Sequence, residues 1–128
     1  LLQSYESYMV ERFEDLQDSD LRQSDEALEQ IFRIAKQNGI QVGVILFPQL
    51  DGRIESPLGF LIDHVANVCK RNEVDYIDFR PRLETVDSVT ELWANRLDTH
   101  PGRLANELAS SAILDLYEDE WRDQVANP

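Results

Sequence analysis

Several things this sequence lacks narrow what it can be. Its one cysteine, Cys69, excludes an internal disulfide. Cys69 falls on an apolar helical face, the place of a small buried hydrophobe and not of a reactive thiol. No apolar run approaches the roughly 20 residues that cross a bilayer, so no membrane segment is expected. Two histidines, His64 and His100, accompany the cysteine, and the three never fall in ligand spacing, so neither a metal site nor any other cofactor is expected. Lysine is scarce: Lys36 and Lys70 stand alone among 12 basic residues. Against those 12 cations stand 25 Asp and Glu, a net charge of −13. Such a field repels phosphate backbones and anionic headgroups, which argues against a nucleic acid partner and against a membrane surface. The surplus reads as a solvated acidic surface. Neither an initiator methionine nor a basic-then-apolar leader opens the sequence, so the chain reads as a piece of a longer protein. No localisation is assigned.

What is present is periodic. Residues 1–15 carry Leu2, Tyr5, Tyr8, Met9 and Phe13 at helical spacing, and residues 17–23 read as a polar, acidic hinge. Ser24 is a helix N-cap, with Asp25 and Glu26 complementing the helix N-terminus. Leu28, Ile31, Phe32 and Ala35 then form one buried stripe, and Asn38-Gly39 supplies a left-handed stop. Residues 42–47 run apolar without alternation, as a strand buried on both faces does, and Pro48 ends it. Asp51-Gly52 reads as a turn. Ser56-Pro57 opens a second helix whose stripe is Leu58, Leu61, Ile62, Val65, Val68 and Cys69, with Asp63 and His64 on its solvated side. Residues 74–79 form a second strand closed by Arg80-Pro81. A last helix from about Pro101 to Tyr117 turns Leu104, Leu108, Ala112 and Ile113 inward.

This rhythm predicts an α/β fold with parallel strands near 42–47 and 74–79 and flanking helices. Two parallel strands leave hydrogen-bonding edges open. Missing strands from an N-terminal part, or a second copy in a homo-oligomer, are expected to cover them.

Chemistry concentrates at Asp98-Thr99-His100-Pro101. Residues two apart in extended or turning backbone project to one side. The Asp98 carboxylate can therefore hold one ring nitrogen of His100 and leave the other as a base, the acid–base half of a Ser-His-Asp triad. On spacing alone the alternative stays open that Asp98 caps the helix and His100 is an incidental loop residue. Arg80 and Arg82 are read as partners for the abundant acids. Trp93 and Tyr76 are read as packing residues, and Asp78 as a structural carboxylate at the strand end.

Residues 92–106, Leu92-Trp93 followed by Leu97-Asp98-Thr99-His100-Pro101-Gly102-Arg103-Leu104-Ala105-Asn106, resemble the final block of SGNH/GDSL-type hydrolases. There Asp and His, followed by Pro, open the last helix. Residues 74–83 resemble the last strand of that family and residues 39–48 its penultimate strand, in the family's order. The resemblance runs from about Ser24 to Tyr117. It implies a partial three-layer, flavodoxin-like α/β fold, with residues 1–128 a single domain that forms the C-terminal part of a larger SGNH-type domain. Catalysis would rest on His100 as general base and Asp98 as its orienting partner. The activity implied is that of an ester hydrolase or O-acyltransferase acting on a small ester or acylated carbohydrate. Departures are specific. Leu97 stands where the commoner Asp-x-x-His spacing has Asp, although an Asp-x-His form occurs in branches related to polysaccharide O-acetyltransferases. Gly102 replaces the usual Asn after His-Pro. The Gly-Asp-Ser nucleophile block and both oxyanion blocks are absent, and none of Ser4, Ser7, Ser19, Ser24, Ser56, Ser88, Ser110 or Ser111 sits in such a context. The nucleophile and the substrate-binding residues are therefore left unassigned, and the 128 residues alone are expected to be inactive. The rival reading is a non-catalytic α/β interaction or assembly module.

Overall fold

Two helices of this chain end in the same way, and that ending sets up its parallel strand pair. The computed structural model describes residues 18–50 and 58–126. Helix α1 (Asp18–Gln37) stops where Ile40 N–H bonds the Ala35 carbonyl at 2.9 Å and Gly39 N–H bonds that of Lys36 at 3.2 Å. Helix α2 (Gly59–Arg71) stops where Val74 N–H bonds the Cys69 carbonyl at 3.0 Å and Glu73 N–H bonds that of Lys70 at 3.2 Å. Both are Schellman closures, which need one residue in the left-handed region. Gly39 fills it at φ 65° in the first helix and Glu73 at φ 55° in the second. Strand β1 (Gly43–Leu46) follows the first closure and β2 (Asp75–Asp78) the second. They pair in parallel, Gly43 opposite Asp75 through Leu46 opposite Asp78.

By internal contacts the chain divides into two compact units, Leu1–Leu46 with Glu55–Asp78, and Phe47–Ile54 with Phe79–Pro128. The first holds the β1–α2–β2 crossover with α1. Its core is Phe32, Val68 and Cys69, against which Leu28, Val42, Val44, Val65, Val74 and Tyr76 pack. Burying a side chain such as Phe32 is worth about 1.5–3 kcal/mol. The α2 stripe and Gly39 stand as expected, as does the parallel pair. Three details differ. Each strand is four residues long, and β1 is half-buried along most of its length instead of covered on both faces. Residues 18–23 are helical, not a hinge, because the Asp-Ser-Asp run ahead of Ser24 is itself compatible with a first turn. Ile31 is 55% exposed: two short strands and one helix offer α1 too narrow a surface to cover the edge of its stripe.

In the second unit the Phe47 ring stacks on Phe79, centroids 4.4 Å apart. Residues 80–83 make a short helix α3 (Arg80–Leu83) with Pro81 in its first turn, so this proline starts an element as well as ending the strand. A 3₁₀ turn (Val89–Leu92), capped through Ser88 Oγ, leads into an antiparallel hairpin of β3 (Trp93–Asn95) and β4 (Asp98–Pro101). Helix α4 (Arg103–Ala126) follows. Phe79 and Leu92 are fully buried, and Ala105 and Ala112, seven apart on one face of α4, are buried as well. The expected turn at 98–101 is thus a strand, and the last helix begins at Arg103, not Pro101.

The architecture is a mixed α/β one with a small parallel and a small antiparallel sheet. No described helix is long and apolar enough to cross a membrane. The proposed helix at 1–15, the Asp51-Gly52 turn and the Ser56-Pro57 cap lie outside the described residues.

Candidate active site

The hairpin β3–β4 is built to hold two side chains on one side. Arg96 and Leu97 form its turn, and Asn95 Oδ1 accepts the Leu97 N–H at 2.9 Å, fixing that turn from within. Trp93, at the other end of β3, donates Nε1–H to the Leu50 carbonyl at 2.6 Å. Where β4 leaves for α4, Gly102 N–H bonds the Leu92 carbonyl at 2.6 Å. A Cβ on Gly102 would lie 2.3 Å from the Trp93 carbonyl oxygen, so only glycine permits this crossing of backbones.

Within β4, Asp98 and His100 project to the same face because side chains alternate along a strand. Asp98 Oδ1 accepts the backbone N–H of His100 at 3.0 Å and lies 2.5 Å from His100 Nδ1. The backbone N–H of His100, and then its ring, hold the Asp98 carboxyl below the usual carboxylate range. An ionised carboxylate only accepts, so Nδ1 carries the hydrogen and the Nε2 lone pair points away from Asp98. That tautomer leaves Nε2 unprotonated and able to accept a proton. The His100 side chain is 87% exposed and that of Asp98 44%.

The other histidine has an aspartate too. His64 Nε2 lies 2.8 Å from Asp25 Oδ1, while Arg71 donates to Asp25 Oδ2 at 2.9 Å and to Glu29 Oε1 at 3.0 Å. Burial pushes the Asp25 carboxyl up, but hydrogen bonds from Arg71 and His64 outweigh it and hold it below its usual value. His64 is therefore not on a solvated face; it ties α2 to α1. The signal available in sequence was the pairing of Asp25 and Glu29, four apart on one helix, with His64 and Arg71, seven apart on the next.

Other residues resolve more simply. Arg82 pairs with Asp115 at 2.6 Å, an acid partner as expected. Cys69 is fully buried, and burial pushes its thiol up, which makes it inert. Ser88 Oγ caps the 3₁₀ turn and Ser110 Oγ donates to the Asn106 carbonyl, so these hydroxyls serve the backbone. Among the described residues no group of three or more His, Cys, Asp or Glu gathers as a metal site. No family model, curated protein or solved structure matches the chain.

Proposed function

We infer that Asp98 and His100 are the proton-handling half of a Ser-His-Asp triad. On this reading the chain is the C-terminal part of an SGNH-type ester hydrolase or O-acyltransferase with a three-layer, flavodoxin-like parent fold. One observation carries it: a single oxygen, Asp98 Oδ1, receives both the N–H and the Nδ1–H of His100, which orients the ring and leaves Nε2 as base. In the reaction, Nε2 accepts the proton of a serine hydroxyl as its oxygen attacks an ester carbonyl, then returns it to the departing alkoxide. A water or sugar hydroxyl, deprotonated in turn by Nε2, would attack the acyl-serine carbonyl, and Nε2 would return that proton to the departing serine oxygen. On this reading the serine and the oxyanion donors would be supplied by sequence outside these 128 residues. An oxyanion donor alone is worth about 10²–10³ in rate, so the 128 residues by themselves should show only background turnover.

The experiment is p-nitrophenyl acetate hydrolysis by the gene product carrying its native upstream sequence, with and without His100→Ala. The reading predicts a fall in kcat of at least about 10³-fold. Equal turnover in the two proteins overturns it. A second reading, a non-catalytic assembly module, is favoured by the parallel pair having only two strands among the described residues, and unchanged turnover would select it.

A further inference from the structure

The first unit contains a pocket of about 410 Å³ that the Asp98–His100 pair does not use. It lies where α1 and α2 end and β1 and β2 begin, and its volume is in the range of small-molecule sites. Its apolar lining includes Phe32, Val42 and Val74, which belong to or pack against the core, together with Ala35 and Ile40. The charges around it are sorted by element. From α1 come Arg33 and Lys36, two of only 12 cations in a chain of net charge −13. Glu29, also on α1, has its carboxylate held by Arg71, which it shares with Asp25. From the segment that closes α2 and opens β2 come Glu73 and Asp75. Among the described residues no ion pair joins Arg33 or Lys36 to Glu73 or Asp75, so the two signs line the pocket from different elements without neutralising each other in pairs.

Glu73 is also the one described residue other than glycine at positive φ, in the closure where the equivalent place after α1 is Gly39. A left-handed L-residue is disfavoured there. A carboxylate thus lines the pocket from a disfavoured backbone position.

We propose that this pocket binds a small zwitterion with an apolar body, of the class of an aliphatic α-amino acid. The carboxylate of the ligand faces Arg33 and Lys36, its ammonium faces Glu73 and Asp75, and its hydrocarbon part lies on Phe32, Val42 and Val74. A simple anion would gain the cations but meet Glu73, Asp75 and the overall negative field. A simple cation would meet Arg33 and Lys36. Only a dipolar ligand satisfies both groups at once.

The test is titration of ¹⁵N-labelled protein with L-leucine, 4-methylpentanoate and 3-methylbutylamine, read from the amide shifts of Ile40, Val42 and Val74. L-leucine should shift these saturably, with a dissociation constant in the range of about 1–10 mM for so open a site. The two single-charge compounds should each bind at least about tenfold more weakly, the cost of one lost charged contact. Arg33→Gln should weaken L-leucine about tenfold and, by removing a like charge, strengthen the amine; Glu73→Gly, which relieves the backbone and so should fold, should weaken L-leucine comparably. Absence of a saturable shift with L-leucine overturns the proposal. So does equal binding of a single-charge compound, or full binding by both variants.

Discussion

Each histidine of this chain faces an aspartate, and the two pairs differ in nearly every respect that matters. His64 and Asp25 are 39 residues apart and join two helices; His100 and Asp98 are two apart and lie on one strand. Asp25 is shared, one oxygen to His64 and the other to Arg71, and its side chain is only 16% exposed. Asp98 serves His100 alone through one oxygen, in the open. The ring nitrogen toward the carboxylate is Nε2 in the first pair and Nδ1 in the second. The lesson is that an aspartate–histidine contact is not by itself chemistry. Sequence distance, burial and the nitrogen engaged separate a pair that joins two helices from one that leaves an exposed Nε2 free.

The comparison can be broken from the hairpin side. Gly102→Ala forces the Trp93 backbone to move and should cost about 1–3 kcal/mol, read from the urea midpoint. The Asp98–His100 contact should be disturbed with it, while amide shifts around His64 stay in place. Next in size is the tether. Asp25→Asn leaves His64 without its carboxylate and Arg71 with Glu29 alone, and should lower stability by about 1–2 kcal/mol. The matching Asp98→Asn should leave the midpoint unchanged, because an exposed two-residue contact holds no elements together. Equal effects would dissolve the distinction.

Acid provides a finer test. The Asp25 carboxyl is held below its unfolded value, so its stabilisation is fully present above the ordinary carboxylate pKa of about 3.9 and is lost as the pH falls through the lower folded value. The stability gap between wild type and Asp25→Asn should therefore close as the pH falls through the carboxylate range. A gap that persists in strong acid would mean the substitution acts through packing. The smallest effect is a gain: Glu73→Gly removes a left-handed L-residue and should raise stability by about 0.5–1 kcal/mol.

The parallel pair was legible because its signals are local and redundant: Val42 to Phe47 is continuously apolar, and Asn38-Gly39 must end a helix. The hairpin was not. Trp93-Ala94-Asn95 and Asp98-Thr99-His100 are too short and too polar to show a period of two, and Arg96-Leu97 lacks the Asn-Gly or Gly that marks a two-residue turn. What holds the hairpin is Trp93 reaching Leu50, 43 residues away, and the backbone crossing at Gly102, neither of which leaves a local trace. The Asp98–His100 contact was legible because it spans two residues of extended chain. The Asp25–His64 contact was hidden because it depends on how two helices pack.

The distinction between the pairs reduces to which ring nitrogen carries the hydrogen. Long-range ¹H–¹⁵N correlation of both imidazoles at about pH 8.5, well above the ordinary imidazole pKa of about 6.5, reads it directly. The account predicts opposite tautomers: Nδ1–H for His100, reverting toward the ordinary mixture in Asp98→Asn, and Nε2–H for His64. Finding His100 as Nε2–H, or unmoved by Asp98→Asn, would contradict it.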